Sequence, residues 1–196
     1  RWLHAICLVY QGNGLRIVGE FHKAQRMLQE SLSSLNTLDE RIFSSFSINN
    51  LARLAKDQGN LAMAETYHKN CFNQRVDLGI AFGIAWVLWD LGNVALLQDK
   101  FQVAQDYYQK GVLLSKDSNI RLAEASSLWG LGNTSLALGD YHMAKHYYQE
   151  CKSLDYPAHV SGGLGWVALG LADLETAKQQ FEIDLKAQEG GKIDVK

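Results

Sequence analysis

The 196-residue chain has few of the features that interrupt helical segments. It contains one proline, three cysteines without a CxxC pair, and no apolar run that approaches the roughly 20 residues of a membrane helix. So little proline is expected of a nearly all-helical chain, because strands and long loops usually bring more turn residues. Neither sign of charge is in excess, since 19 basic residues face 21 acidic ones. This balance disfavours binding to nucleic acid or to an anionic membrane.

The cysteines indicate where the protein works. Cys7, Cys71 and Cys151 are an odd number without a pairing motif, which is typical of free thiols in a reducing compartment. We therefore expect a cytoplasmic protein. The chain begins at Arg1 rather than Met, so we also expect it to be a segment of a longer protein.

The dominant feature of the sequence is an internal repeat of about 40 residues. One alanine recurs at a fixed interval, at Ala24, Ala64, Ala104 and Ala144, and a fifth copy, Ala177, follows after a shorter interval. The clearest copies are the segment from Leu91 to Tyr108 and the segment from Leu131 to Tyr148, which align residue by residue. Repeats of this length indicate an architecture of stacked supersecondary units.

Each unit is predicted to form two helices. Gly19, Gly59 and Gly139 supply the left-handed residue that commonly ends a helix. Asn60, Asp140 and Asp173 follow such turns and can accept a hydrogen bond from the free amides of the next helix. In the second helix, the repeat alanine and a large side chain four residues later share one face, as Ala144 and Tyr148 do.

These residues resemble the tetratricopeptide repeat (TPR) family. The resemblance implies an all-α, right-handed α-solenoid of five helix-turn-helix repeats whose first helices line a concave face. We predict one domain over 1–189, with repeats at about 4–38, 39–78, 79–118, 119–156 and 157–188, and a polar tail over 190–196. Units of 40 residues are similar to those of kinesin light chains, of adaptors in G-protein signalling, and of sensor arrays in bacterial signal-transducing ATPases and transcription regulators.

The repeats depart from the family pattern in two respects. In the first repeat, Gln11 stands where leucine is expected, and Gly12-Asn13-Gly14 predicts a loosened first helix. The proline that the family places near the end of a repeat is present only at Pro157.

No constellation of residues indicates catalysis. His142, His146 and Glu150 share a helix face, but no further metal ligand lies near them in sequence. Gly163-x-Gly165-x-x-Ala168 resembles a dinucleotide fingerprint, yet the repeat register places it inside a helix without a preceding strand. Cys71 and Cys151 occupy predicted core positions. We predict that the chain is not an enzyme and binds neither metal nor cofactor.

The predicted concave face carries the candidate binding residues. Four of the five tryptophans fall on positions of the first helices that point into the groove, where aromatic rings contribute contact area and polar groups fix register. The resemblance implies that asparagine at the ninth position, as at Asn13, Asn93 and Asn133, bonds the backbone of a bound peptide. Packing between repeats remains the alternative role for the tryptophans. The full set is Asn13, Asn49, Arg53, Lys56, Trp86, Trp89, Asn93, Trp129, Asn133 and Trp166.

The sequence thus predicts a non-catalytic scaffold that binds a protein or peptide in this groove. Arg16, Arg53 and Lys56 favour an acidic or carboxylate-bearing partner at the end formed by repeats one and two. The alternative is a ligand-sensing or autoregulatory segment of a larger ATPase or transcription regulator. RNA binding by helical repeats fits the net charge of −2 poorly. Exposed groove aromatics could also drive self-association.

Overall fold

The computed structural model describes residues 1–154 and 160–190, and within these ranges every regular element is an α-helix. The all-α prediction is confirmed, and consecutive helices pack against each other in pairs. None of the described helices is both long and apolar enough to cross a bilayer. The ten described helices are α1 (Trp2–Ile17), α2 (Phe21–Thr37), α3 (Arg41–Asp57), α4 (Leu61–Asp77), α5 (Ala81–Leu97), α6 (Phe101–Asp117), α7 (Arg121–Ala137), α8 (Tyr141–Ser153), α9 (Val160–Gly170) and α10 (Leu174–Gly190).

The chain divides into two compact units. Unit 1 spans Arg1–Lys100 and holds α1 to α5, whereas unit 2 begins at Phe101 and holds α6 to α10. In unit 1 each helix contacts the next one, and α3 also contacts both α1 and α5, so the first helices of successive repeats are neighbours. In unit 2, α7 contacts α9 in the same way. The predicted single domain over 1–189 and its repeat boundaries stay predictions.

The repeat residues form the core of both units. Ala24, Ala64, Ala104 and Ala144 are fully buried and Ala177 is nearly so. Tyr108 and Tyr148 are fully buried and lie flat against glycines of the neighbouring first helix. A Cβ atom at Gly130 would stand 2.4 Å from the Tyr108 ring, and one at Gly132 would stand 2.6 Å from the Tyr148 ring. The glycines of the first helices therefore make room for the aromatic residues of the second helices.

The predicted helix ends are confirmed. Gly19, Gly59 and Gly139 have φ values of 82°, 79° and 76° in the turns between helices. The backbone amides of Met63, Met143 and Thr176 each donate to the side-chain oxygen of the predicted cap, Asn60, Asp140 and Asp173, at 3.1 Å. These local signals act within a few residues, which is why the sequence reveals them.

One expectation about the helices is wrong. Gly12-Asn13-Gly14 does not loosen the first helix, since α1 is continuous from Trp2 to Ile17. Gly12 instead allows α1 to pack closely against the side chain of Leu28, because a Cβ atom at Gly12 would lie 2.7 Å from Cγ of Leu28. Gly163 and Gly165 lie inside α9, as the repeat register predicts. Pro157 and the tail 191–196 lie outside the described residues.

Candidate binding surface

A cavity of about 340 Å³ opens among the first helices of unit 1. It combines aromatic rings, three asparagines and two arginines. Of the seven predicted groove residues in unit 1, Asn13, Asn49, Arg53 and Trp86 line it. Its other lining residues are Ile6, Val9, Tyr10, Phe43, Phe46, Asn50, Arg75, Phe82 and Gly83. The sequence pattern therefore brings residues from α1, α3 and α5 to one concavity.

Arg53 does not carry a free charge in this cavity. Its Nε lies 3.1 Å and its Nη2 2.9 Å from Oδ2 of Asp90, so the guanidinium donates two hydrogen bonds to one carboxylate. Burial alone would lower the pKa of Arg53, but the adjacent Asp90 carboxylate holds it above its ordinary value. Asp90 is only 3% exposed. The positive charge of Arg53, which the sequence assigns to a basic end, is thus paired within the chain.

Arg75 is a lining residue that the sequence pattern did not single out. It comes from α4, a second helix, and is 3% exposed. Its Nη1 donates to the carbonyl oxygen of Gly83 at 2.8 Å, its Nε donates to Oγ of Ser45 at 3.3 Å, and its guanidinium lies over the Phe46 ring at 5.1 Å. These partners are all neutral. Within the described residues no carboxylate forms an ion pair with Arg75, so a buried cation faces the cavity.

A sequence signal for Arg75 exists in the repeat alignment. Arg75 stands eleven residues after the repeat alanine, where the first and third repeats place the buried Leu35 and Ser115. Gly83 compensates for the larger side chain, because a Cβ atom there would lie 2.8 Å from Cδ of Arg75. A charged residue at a core position of one repeat is thus the detectable anomaly.

Asn49 is held by an internal hydrogen bond behind the cavity. Its Oδ1 lies 3.2 Å from Nδ1 of His68, a residue that is fully buried. Nε2 of His68 is buried and has no hydrogen-bond partner within the described residues. Burial lowers the pKa of His68 to about 4, so the imidazole is neutral near pH 7. Asn49 therefore shapes the wall of the cavity with its acceptor already engaged.

This histidine predicts a stability that depends on pH. Folded His68 stays neutral down to pH about 4, whereas unfolded histidine takes up a proton below pH about 6.5. Its stabilising contribution is therefore fully present above pH about 6.5 and is lost as the pH falls toward 4. We expect the free energy of unfolding to fall by about 2 kcal/mol between pH 7 and pH 5 in urea titrations.

His68→Gln is the control for this prediction, because glutamine keeps an amide donor for Asn49 and does not titrate. We expect the free energy of unfolding of this variant to change little between pH 7 and pH 5. An equal decrease in both proteins would assign the pH dependence to other groups.

The other predicted residues of unit 1 lie outside the cavity lining. The Trp89 ring packs edge-on against Trp86, with 5.8 Å between ring centroids, and its Nε1 is buried without a partner in the described residues. Asn93 and Lys56 are half-buried. Arg16 donates to Asp57 and to Asn13, so its charge is paired as well. Lys56 lies 3.7 Å from Asp57, so all three residues of the predicted basic end, Arg16, Arg53 and Lys56, have a carboxylate partner.

In unit 2, the predicted residues Trp129, Asn133 and Trp166 line one smaller cavity of about 250 Å³. Trp166 is 57% exposed and packs edge-on against Phe181, with 5.4 Å between ring centroids. Oδ1 of Asn133 accepts a hydrogen bond of 2.7 Å from the Tyr148 hydroxyl. Asp184 also lines this cavity, so its wall carries an acidic group.

Two of the three cysteines belong to the core, whereas Cys7 is exposed. Cys71 and Cys151 are buried, as predicted, and burial raises their thiol pKa values to about 11 and about 12. Each thiol donates to a backbone carbonyl, of Ser45 and Ala125 respectively. Among the residues described, no group of three or more His, Cys, Asp or Glu side chains is arranged to hold a metal ion.

Comparison with known structures shows the same fold in several proteins. BtubC from P. vanneervenii superposes with a TM-score of 0.79 at 18% identity, covering 95% of this chain and 82% of that one. A second similar structure is a Signal Transduction ATPase with Numerous Domains from Pyrococcus horikoshii, which has a tetratricopeptide repeat sensor. It superposes with a TM-score of 0.81 at 13% identity, covering 98% of this chain and 31% of that one. A Rap protein complexed with competence and sporulation factor superposes with a TM-score of 0.70 at 15% identity, covering 94% of this chain and 52% of that one.

Sequence comparison supplies the family. No curated protein matches the chain significantly. Two family profiles described as tetratricopeptide repeat match residues 41–117 and 125–156, which together are more than half of the chain. The matched ranges contain the aligned copies from Leu91 to Tyr108 and from Leu131 to Tyr148. The chain therefore belongs to the tetratricopeptide repeat family.

Proposed function

We propose that this protein is a non-catalytic scaffold that binds a peptide or protein segment through its first helices. The observation that supports the proposal is the cavity of unit 1, where residues of three first helices meet around a mixture of rings, amides and a cation. Such a combination is typical of interfaces, because aromatic groups contribute area and polar groups fix orientation. The Rap protein, which has the same fold, was solved in complex with competence and sporulation factor.

The cavity favours a partner with a carboxylate. Asp90 is hydrogen-bonded to Arg53, whereas the Arg75 guanidinium has no carboxylate in contact with it among the described residues. A buried cation is stabilised when a carboxylate reaches it, because the surroundings screen the attraction weakly. An acidic side chain or a terminal carboxylate beside an apolar residue would fit both the charge and the rings of Phe46 and Trp86.

Selection of peptides tests this proposal directly. A random peptide library displayed on phage would be selected against the native chain and, in parallel, against Trp86→Ala. We expect the native chain to enrich acidic sequences that contain an apolar residue, and Trp86→Ala to enrich them less. Failure of the native chain to enrich any family of sequences would contradict the proposed function.

Arg75→Met separates binding from folding. We expect this substitution to weaken the binding of a selected peptide by about tenfold or more, because a charge-assisted hydrogen bond contributes about 1.5–3 kcal/mol. We expect the melting temperature to stay equal or to rise, since an apolar side chain of similar length replaces a buried charge. Fluorescence polarisation and thermal melting measure the two effects. Met63→Ala is the control, because Met63 is exposed and lies outside the cavity.

One observation favours the alternative of a sensor segment within a larger regulator. Unit 2 contains a second, larger cavity of about 780 Å³, within the size range of small-molecule sites. The full-length gene would test this alternative, because a nucleotide-binding domain encoded upstream would support it. A cytoplasmic location, which the three free cysteines favour, is part of both proposals.

A further inference from the structure

The larger cavity of unit 2 lies among α8, α9 and α10, and no groove residue predicted from the sequence lines it. Its floor is apolar and its rim is polar, with two lysines and one carboxylate. The lining residues are Lys145, Gln149, Lys152, Ser153, Leu164, Val167, Ala168, Leu171, Asp173, Thr176 and Gln180. The described part of this lining therefore has none of the aromatic groups that characterise the cavity of unit 1.

The repeat pattern explains why this space is open. Three residues after the repeat alanine, the second, third and fourth repeats place a half-buried tyrosine, at Tyr67, Tyr107 and Tyr147. In unit 1, Tyr67 packs against the core cluster that contains Ala24, Leu28, Leu51 and Leu54. The fifth repeat has Gln180 at this position. The ring that covers the core in an earlier repeat is thus missing from the fifth.

Gln180 also leaves a polar atom without a partner. Its Oε1 is buried and accepts no hydrogen bond within the described residues. Such an atom favours a ligand that brings a donor, because leaving a buried acceptor without a hydrogen bond is unfavourable. Gln180 lines the same cavity as the buried side chain of Val167. A ligand in this cavity could therefore donate to Gln180 and place an apolar ring against Val167 at the same time.

The charges of the rim indicate the sign of the ligand. Lys145 and Lys152 line the cavity, and neither forms an ion pair in the part of the chain that the structure describes. The Asp173 carboxylate is already engaged, since its Oδ1 accepts from the backbone amide of Thr176 at 3.1 Å. The Asp173 carboxylate keeps its negative charge and attracts Lys145, so the described rim carries two cations against one anion. This net positive charge favours an anionic group.

We propose that this cavity is a binding site for a small aromatic acid whose ring carries a hydrogen-bond donor. The ring occupies the space of the missing tyrosine over Leu164 and Val167, the donor bonds Oε1 of Gln180, and the acidic group lies between Lys145 and Lys152. The site is separate from the proposed peptide-binding surface, so either can fail without the other.

Three related probes test the chemistry by isothermal titration of the native chain. 4-Hydroxyphenylacetate has the ring, the donor and the acid, phenylacetate lacks the donor, and tyramine replaces the acid with a cation. We expect 4-hydroxyphenylacetate to bind with a Kd of about 1 mM or tighter. We expect phenylacetate and tyramine to bind at least about fivefold more weakly, because each loses one polar interaction.

Two variants test the location. Gln180→Tyr introduces the tyrosine of the second, third and fourth repeats, so we expect it to abolish binding and to raise the melting temperature by about 2–4 °C through filling of the cavity. Gln179→Tyr is the matched control, because Gln179 is exposed on the same helix and lies outside the lining. The double variant Lys145→Gln with Lys152→Gln is expected to bind 4-hydroxyphenylacetate about tenfold more weakly than the native chain does. Its affinity for tyramine is expected not to fall.

Several results would overturn the proposal. The first is the absence of saturable binding by 4-hydroxyphenylacetate up to about 20 mM, a concentration well above the expected Kd. The second is equal affinity of the native chain and Gln180→Tyr, which would place the ligand elsewhere. The third is a lower melting temperature for Gln180→Tyr than for Gln179→Tyr, which would mean that the space is not vacant.

Discussion

Asp90→Asn is expected to lower the free energy of unfolding by about 3 kcal/mol. The carboxylate is 3% exposed and receives hydrogen bonds from Nε and Nη2 of Arg53. Asparagine keeps the shape but removes the negative charge, which leaves Arg53 and Arg75 as two cations in one buried region. The effect is placed at the lower end of the range for broken buried pairs, because the Arg53 side chain is 28% exposed. Urea denaturation measures the loss.

The double variant Arg53→Met with Asp90→Leu is the control for this expectation. It removes both charges together, so no cation is left without its partner, and apolar side chains fill the space. We expect it to recover most of the stability that Asp90→Asn loses. A loss below about 1 kcal/mol in Asp90→Asn would show that the pair is no stronger than an exposed salt bridge.

Tyr148→Ala is expected to cost about 3–5 kcal/mol, the range for deleting a buried aromatic ring. Tyr148 is fully buried, and its ring fills the space that Gly132 and Gly163 leave open. The surrounding helices cannot close over the space without displacing backbone, so most of the void is expected to persist. Thermal and urea unfolding would both register the loss.

Two further variants divide this effect into parts. Tyr147→Ala, at the half-buried neighbouring position, is expected to cost much less. Tyr148→Phe keeps the ring and removes the hydroxyl that donates to Asn133 at 2.7 Å, so we expect a loss of about 1 kcal/mol. Equal losses for Tyr147→Ala and Tyr148→Ala would contradict the assignment of Tyr148 to the core.

The helices and their ends could be predicted because their causes are local. A cap such as Asp140 acts on an amide three residues away, and Gly139 sets its own backbone angle. The buried alanines recur with the repeat, so their spacing alone indicates a common face. The first repeat was the exception, because the role of Gly12 depends on Leu28 of the next helix.

The sequence predicts which first-helix residues line the candidate site, but it does not predict which of the charged side chains are paired there. The register of the first helices brings Asn13, Asn49, Arg53 and Trp86 to one cavity, as the periodicity indicates. Periodicity does not reveal which charges meet across helices, and Arg53 and Asp90 are 37 residues apart. Arg75 comes from a second helix, whose residues the groove pattern does not include.

By itself, the sequence determined the helical repeats, their caps and turns, the buried alanines and the membership of the tetratricopeptide repeat family. These features depend on spacing along the chain, which a repeat displays several times over. Only the tertiary structure decided that Arg53 is neutralised, that Arg75 is not, and that Gln180 leaves a cavity open. Each of these depends on which side chains from different helices share a volume, and the free energy of a buried charge or void is set by those neighbours.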